Sequence, residues 1–124
     1  MNVLTVDLVL AAHDAVLNPG ELQGLAGDKS LTFALARVDT RLAYGMIADV
    51  CDLAAAYAAA VSQGHCFNDG NRRTAHQCMD LALDLNGIQI TWPQPETGDR
   101  IIALAQGKLD DADLATWLRG LTKP

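Results

Sequence analysis

Apolar residues recur three and four positions apart along most of the chain and β-branched runs are few, a pattern that predicts an all-helical domain. Thr5 can cap a first helix, with Asp7 in its first turn and Val6, Leu10, Val16 and Leu17 on its buried side, and Asn18-Pro19-Gly20 ends it. Pro19 to Lys29 contains three glycines and reads as a loop. Asp28 or Ser30 can cap a short second helix carrying Leu31, Ala34 and Leu35. A longer helix is expected from near Asp39 to Ala43 through to Gln63, where Ile47, Val50, Cys51, Ala54, Tyr57, Ala58 and Val61 keep helical spacing. Its small alanines let neighbouring helices approach closely, and Gly64 stands where a residue just past a helix end belongs.

A further helix is expected from about Asn71 to Asn86, with Ala75, Cys78, Met79, Ala82 and Leu85 on one face and Asn86-Gly87 closing it. Ile88 to Trp92 reads as a short extended piece, and Pro93 and Pro95 break regularity. Two last helices are expected over Glu96 to Ala105 and Asp110 to Leu121, for about six in all. Trp92 and Trp117 are separated by prolines and a helix, show no stacking array, and read as core or interface residues.

The 124 residues make one small domain, and half of them are hydrophobic with only 19% charged, which excludes a disordered linker or tail. Nine Lys and Arg against 15 Asp and Glu give a net charge of -6, which disfavours a general nucleic-acid-binding role. Cys51, Cys66 and Cys78 form no C-x-x-C pair, and the start of the chain shows no signal-peptide pattern, so reduced thiols in a cytoplasmic protein are expected. No stretch is apolar and long enough for a membrane span. The neighbourhood of Cys66, His76, Cys78 and His65 lacks the paired short spacings of a zinc site.

Candidate chemistry is concentrated in His65-Cys66-Phe67-Asn68-Asp69-Gly70-Asn71-Arg72-Arg73, at the start of the predicted 71–86 helix. Exposed N–H groups at a helix N-terminus, a glycine that admits close approach and two arginines form a site for an anion, with phosphate the obvious guest. Asp69 offers the hard oxygen that Mg²⁺ prefers, and His65 carries an imidazole able to accept a proton from an incoming hydroxyl. Taken singly, each has a plain structural reading: His65 as a capping or surface histidine, Asp69 and Asn71 as turn or helix-entry residues, Arg72 and Arg73 as a solvated charge pair. His13 and Asp14 read equally as a solvated polar face or as residues lining a site.

The same segment resembles the signature of the Fic/Doc family, written H-x-F-x-[DE]-[GA]-N-[GK]-R, which His65, Phe67, Asp69, Gly70, Asn71 and Arg73 match at the required spacing. His13-Asp14 and the helical pattern are similar to the Doc branch, so the resemblance extends over nearly the whole chain. It implies a compact bundle of about six helices, with the catalytic loop between two central ones. It also implies His65 as general base, Phe67 as the loop's anchor in the core, Asp69 as the Mg²⁺ ligand, Gly70 and Asn71 as the shapers of an anion hole, and Arg72 and Arg73 as nucleotide-phosphate contacts. The loop from Pro19 to Lys29 occupies the place of the family's flap, which aligns the target peptide, although an ordinary helix connection reads as well.

Two departures bear on the reaction. Members that transfer AMP carry a second glycine where this chain has Arg72 and another arginine where it has His76. The Doc branch has lysine at the first position and lacks the later arginine. There the nucleotide binds in the inverse direction and presents its γ-phosphate. By this resemblance the chain is expected to be a toxin kinase using ATP and Mg²⁺ to phosphorylate a threonine of elongation factor Tu. No self-inhibitory [ST]-x-x-x-E-[GN] segment is present, so a Phd-type antitoxin is expected in trans. The alternatives are an AMP transferase acting on a protein hydroxyl and a catalytically silent antitoxin- or nucleotide-binding module. The acidic balance and missing basic cleft disfavour a ribonuclease.

Overall fold

A computed structural model describes residues 1–22, 24–26 and 30–122, and among these residues the regular elements are six helices. They are α1 (Val6–Val16), α2 (Leu31–Ala43), α3 (Val50–Gly64), α4 (Asn71–Leu85), α5 (Glu96–Ala105) and α6 (Asp111–Thr122). The all-helical expectation is borne out. Thr5 caps α1 by accepting from the Leu8 N–H, and Ser30 caps α2 through the Phe33 N–H. Asp28, the other cap considered, lies outside the described residues.

Helix α3 is the centre of the bundle and touches α2, α4, α5 and α6. Leu53, Ala54, Ala55, Ala56, Tyr57 and Ala58 form one unbroken buried run, so the helix is enclosed on all sides, and its alanines set the close approach of its neighbours. Buried at the middle of this helix, the Tyr57 hydroxyl accepts from the Leu4 N–H at 3.0 Å and ties the N-terminal segment to the core. At one end of α3, Arg119 of α6 donates to both Asp49 oxygens and to Asp52.

The expected long helix from 39–43 to 63 is two elements. Residues 39–43 complete α2, the chain turns at Gly45 with φ of 72°, and Asp49 restarts a helix by accepting from the Asp52 N–H. Ile47 owes its burial to this connection and not to a helical face. At the other end, Gly64 is the last helical residue and His65 takes the left-handed conformation expected of the glycine. A Cβ at Gly64 would meet Cys66 Sγ at 3.1 Å, a tight contact that a larger residue would have to relieve. On α1 the fully buried positions are Val9, Ala12 and His13, while Leu10, Val16 and Leu17 are half-buried.

Helix α4 closes as its sequence implies, with Gly87 at φ of 82° and the Ile88 N–H returning to the Leu83 carbonyl. No regular strand forms over 88–92. Trp92 and Trp117, read from the sequence as core or interface residues, meet at 6.4 Å between ring centroids. His76 packs on Trp92 with the two rings near perpendicular, and the Arg100 guanidinium lies 4.4 Å over Trp117. The intervening turn brings α5 back onto α4 and α6 onto α3 and α5, which spacing along the chain does not reveal.

Candidate active site

The loop between α3 and α4 is bounded by two left-handed residues, His65 (φ 48°, ψ 41°) and Gly70 (φ 77°, ψ 17°). Glycine adopts this conformation without strain, whereas His65 carries a side chain through it, a cost often found where function requires a particular side-chain direction. Between them Phe67 is buried and anchors the loop. The Asn71 side chain grips the same residue: its Oδ1 accepts from the Phe67 N–H at 3.1 Å, and its Nδ2 donates to the Phe67 carbonyl at 2.9 Å. Asn71 therefore works on the loop backbone through both of its polar atoms.

His65, Asp69, Gly70, Asn71, Arg72 and Arg73, all six of the expected site residues, line one cleft of about 790 Å³. That volume lies within the usual roughly 300–1,000 Å³ of small-molecule sites. His65 and Arg72 are exposed, while Asp69, Gly70, Asn71 and Arg73 are half-buried around the α4 N-terminus. His76 and the α5 residues Gly98, Ile101, Ile102 and Ala105 also line the cleft, giving it a largely apolar side. Burial pushes the His76 imidazole below its ordinary value, against the opposing pull of Asp80, so the position taken by an arginine in AMP-transferring relatives favours a neutral ring here.

Two consecutive residues after α1 engage the polar side of the cleft. Glu21 pairs with Arg73 Nη2, while Arg73 Nη1 donates to the Val16 carbonyl at 3.1 Å. The Arg73 guanidinium holds the Glu21 carboxyl below the usual carboxylate range. Next along the chain, the Leu22 N–H donates to Asp69 Oδ2 at 2.8 Å. Residues 24–26 then run against the loop between α3 and α4: Leu25 forms an isolated antiparallel bridge with Phe67, and the Ala26 N–H donates to the Cys66 carbonyl at 2.8 Å. The described part of the 19–29 loop thus runs along the 65–69 segment at the edge of the cleft.

The donor set fits one kind of metal. Among the described residues no group of three or more His, Cys, Asp or Glu is placed to cage an ion. Mg²⁺ needs no such cage, because it commonly takes one or two carboxylates, retains several waters and completes its shell with substrate phosphates. Asp69 accepts from the Leu22 N–H through Oδ2, and its other carboxylate oxygen is the donor that would suit such an ion.

A family model, that of the Fic/DOC family, matches residues 3–83, which hold α1 to α3 and most of α4. The chain belongs to the Fic/DOC family. It is also 34% identical over 122 residues to a protein named protein kinase doc from Escherichia phage P1, an alignment covering 98% of this chain and 96% of the relative. As a Fic/DOC chain it keeps the loop between its two central helices, and the motif residues other than the buried Phe67 meet in one cleft.

Three contributors lie outside the motif. His13 is 1% exposed, stacks on Phe67 with 3.8 Å between ring centroids, and its Nε2 lies 2.7 Å from the Asp69 carbonyl oxygen. Its position four residues after Val9, on the buried stripe of α1, is the signal that set it apart from a solvated face. Glu21 and the Val16 carbonyl act from a loop and a helix end, where no residue pattern points to a partner more than fifty positions away.

Proposed function

We propose that this Fic/DOC chain is a Doc-type toxin kinase, a cytoplasmic protein that transfers the γ-phosphate of ATP to a threonine of elongation factor Tu and so blocks translation. The observation that carries the reading is the convergence of His65, Asp69, Gly70, Asn71 and Arg73 on one cleft at a helix N-terminus. Similarity to a protein kinase, with Arg72 and His76 at the two positions where AMP transferases carry glycine and arginine, favours γ-phosphate over AMP transfer.

Each residue has a role that its position supports. His65, exposed at the cleft mouth, accepts the proton of the incoming hydroxyl as its oxygen bonds to the γ-phosphorus and ADP departs with the electrons of the broken bond. Asp69 holds Mg²⁺, which when bound neutralises phosphate charge. Backbone N–H groups at Gly70 and Asn71 face developing negative charge, and the Arg73 fork and exposed Arg72 hold phosphate oxygens. The apolar α5 side offers a surface for the nucleoside, and the flap edge at 24–26 offers main-chain groups to an extended target peptide. Restraint of such a toxin falls to a Phd-type antitoxin supplied as a separate chain.

Incubating the protein with ATP, Mg²⁺ and elongation factor Tu, followed by intact-mass and fragment analysis of the factor, tests this directly. The expected product carries one phosphoryl group on one threonine. An added AMP group would establish the AMP transferase instead, and an unchanged factor together with a modified protein in a bacterial lysate would overturn the target.

A further inference from the structure

We propose that His13 is a positioning residue that locks the Asp69–Gly70 peptide in the orientation phosphate binding requires; this rests on the reading of the cleft as a phosphoryl-transfer site. A carbonyl oxygen can only accept, so the 2.7 Å contact between His13 Nε2 and the Asp69 oxygen places a hydrogen on Nε2. The ring is buried, which removes water as a competing partner for that donor. Its other nitrogen lies 3.8 Å from the exposed Asp14 carboxylate, beyond hydrogen-bond distance, so Nε2 makes the directional contact.

The consequence follows from the planarity of the peptide. In a trans peptide the carbonyl and the following N–H point in opposite directions. Drawing the Asp69 carbonyl toward α1 therefore turns the Gly70 N–H away from α1 and toward the cleft that Asp69, Gly70 and Asn71 line. Peptides preceding glycine rotate most readily, because a glycine meets little steric resistance on either side of φ = 0. Without a donor at position 13, rotation of this peptide would replace an anion-binding N–H with a carbonyl that repels phosphate. The imidazole holds the loop a second way, by its face on Phe67. Leu17 packs near Gly70 and the Val16 carbonyl holds Arg73, so the last turn of α1 and its cap carry the template for the whole phosphate side.

The test separates ring from donor. His13→Phe retains an aromatic face for Phe67 and removes the N–H, whereas His13→Gln carries an amide N–H near the place of Nε2. With Mg²⁺ and ATP, His13→Phe is expected to lower kcat by roughly 10–100-fold, toward the lower range for loss of one transition-state N–H donor, with KM for the protein substrate unchanged. His13→Gln is expected to recover most of the loss. A folded His13→Phe protein with kcat within about twofold of wild type overturns the proposal, since one lost transition-state donor costs far more.

If the wild type transfers no phosphate, the kinase reading fails, and calorimetry with Mg²⁺ and a non-hydrolysable ATP analogue still decides the role of His13. Weaker binding by His13→Phe and recovery by His13→Gln support it, and equal or no binding by all three proteins overturns it. Long-range ¹H–¹⁵N NMR of the wild type gives a check that needs no ligand and no variant: the Nε2–H tautomer is expected, and an Nδ1–H tautomer overturns the proposal even if His13→Phe fails to fold.

Discussion

Asn71→Ala removes the clamp that closes the loop between α3 and α4. The side chain makes two hydrogen bonds to the backbone of Phe67, at 3.1 and 2.9 Å, and Phe67 is 2% exposed. A neutral hydrogen bond contributes about 0.5–1.5 kcal/mol net, and a buried backbone group left unsatisfied costs about 1–3 kcal/mol. Partial access of water to this half-buried loop places the combined loss at about 2–4 kcal/mol, within the roughly 5–15 kcal/mol of a typical domain, so the variant remains folded. Urea unfolding followed by far-ultraviolet circular dichroism reads the loss as a lower midpoint at unchanged slope. Asn68→Ala is the control, because its amide is exposed and its bond to the Leu25 carbonyl is long at 3.4 Å. An Asn71→Ala loss below about 0.5 kcal/mol, the lower edge for one hydrogen bond, or one equal to that of Asn68→Ala, would refute the reasoning.

Glu21→Gln releases Arg73 from its carboxylate, and nucleotide binding with Mg²⁺ should tighten by about 2–5-fold, the scale of an exposed ion pair; unchanged or weaker binding in calorimetry would show that Glu21 does not compete with phosphate. Arg119 holds the Asp49 carboxyl below the ordinary value of 3.8, a depressed folded-state pKa, so its stabilisation is present above that value and is lost as pH falls through the lowered one. Arg119→Ala should therefore flatten the acid limb of a stability-versus-pH curve, and an unaltered limb contradicts the assignment. Leu53→Ala empties a fully buried site on α3 and should cost about 2–5 kcal/mol in urea unfolding; a loss under about 1 kcal/mol would mean that the core closes around the void.

The site was readable wherever its residues lie within one local segment. Positions 65–73 pointed to a candidate anion site by residue type and spacing, and the structure brings all of them except the buried Cys66 and Phe67 to one cleft. Helices with strong periodicity and local caps were equally readable, as Thr5, Ser30 and Gly87 illustrate. What stayed hidden depends on long-range packing. The α2–α3 break is set by Gly45 and the Asp49 cap, both of which can be accommodated in a helical pattern until tertiary burial of Ile47 decides against it. His65 takes the left-handed role and Gly64 stays helical in tight contact with Cys66, a packing between near neighbours that composition does not distinguish. His13, Glu21 and the Val16 carbonyl reach the site across more than fifty residues, and only the packing of α1 on α4 places them there.

The most direct test of the central claim uses ATP labelled at either the α- or the γ-phosphate, with Mg²⁺, elongation factor Tu, the wild-type chain and His65→Ala. The account predicts label on the factor from the γ position only, abolished in His65→Ala. Label arriving from the α position, or γ-label that persists undiminished without His65, would contradict it.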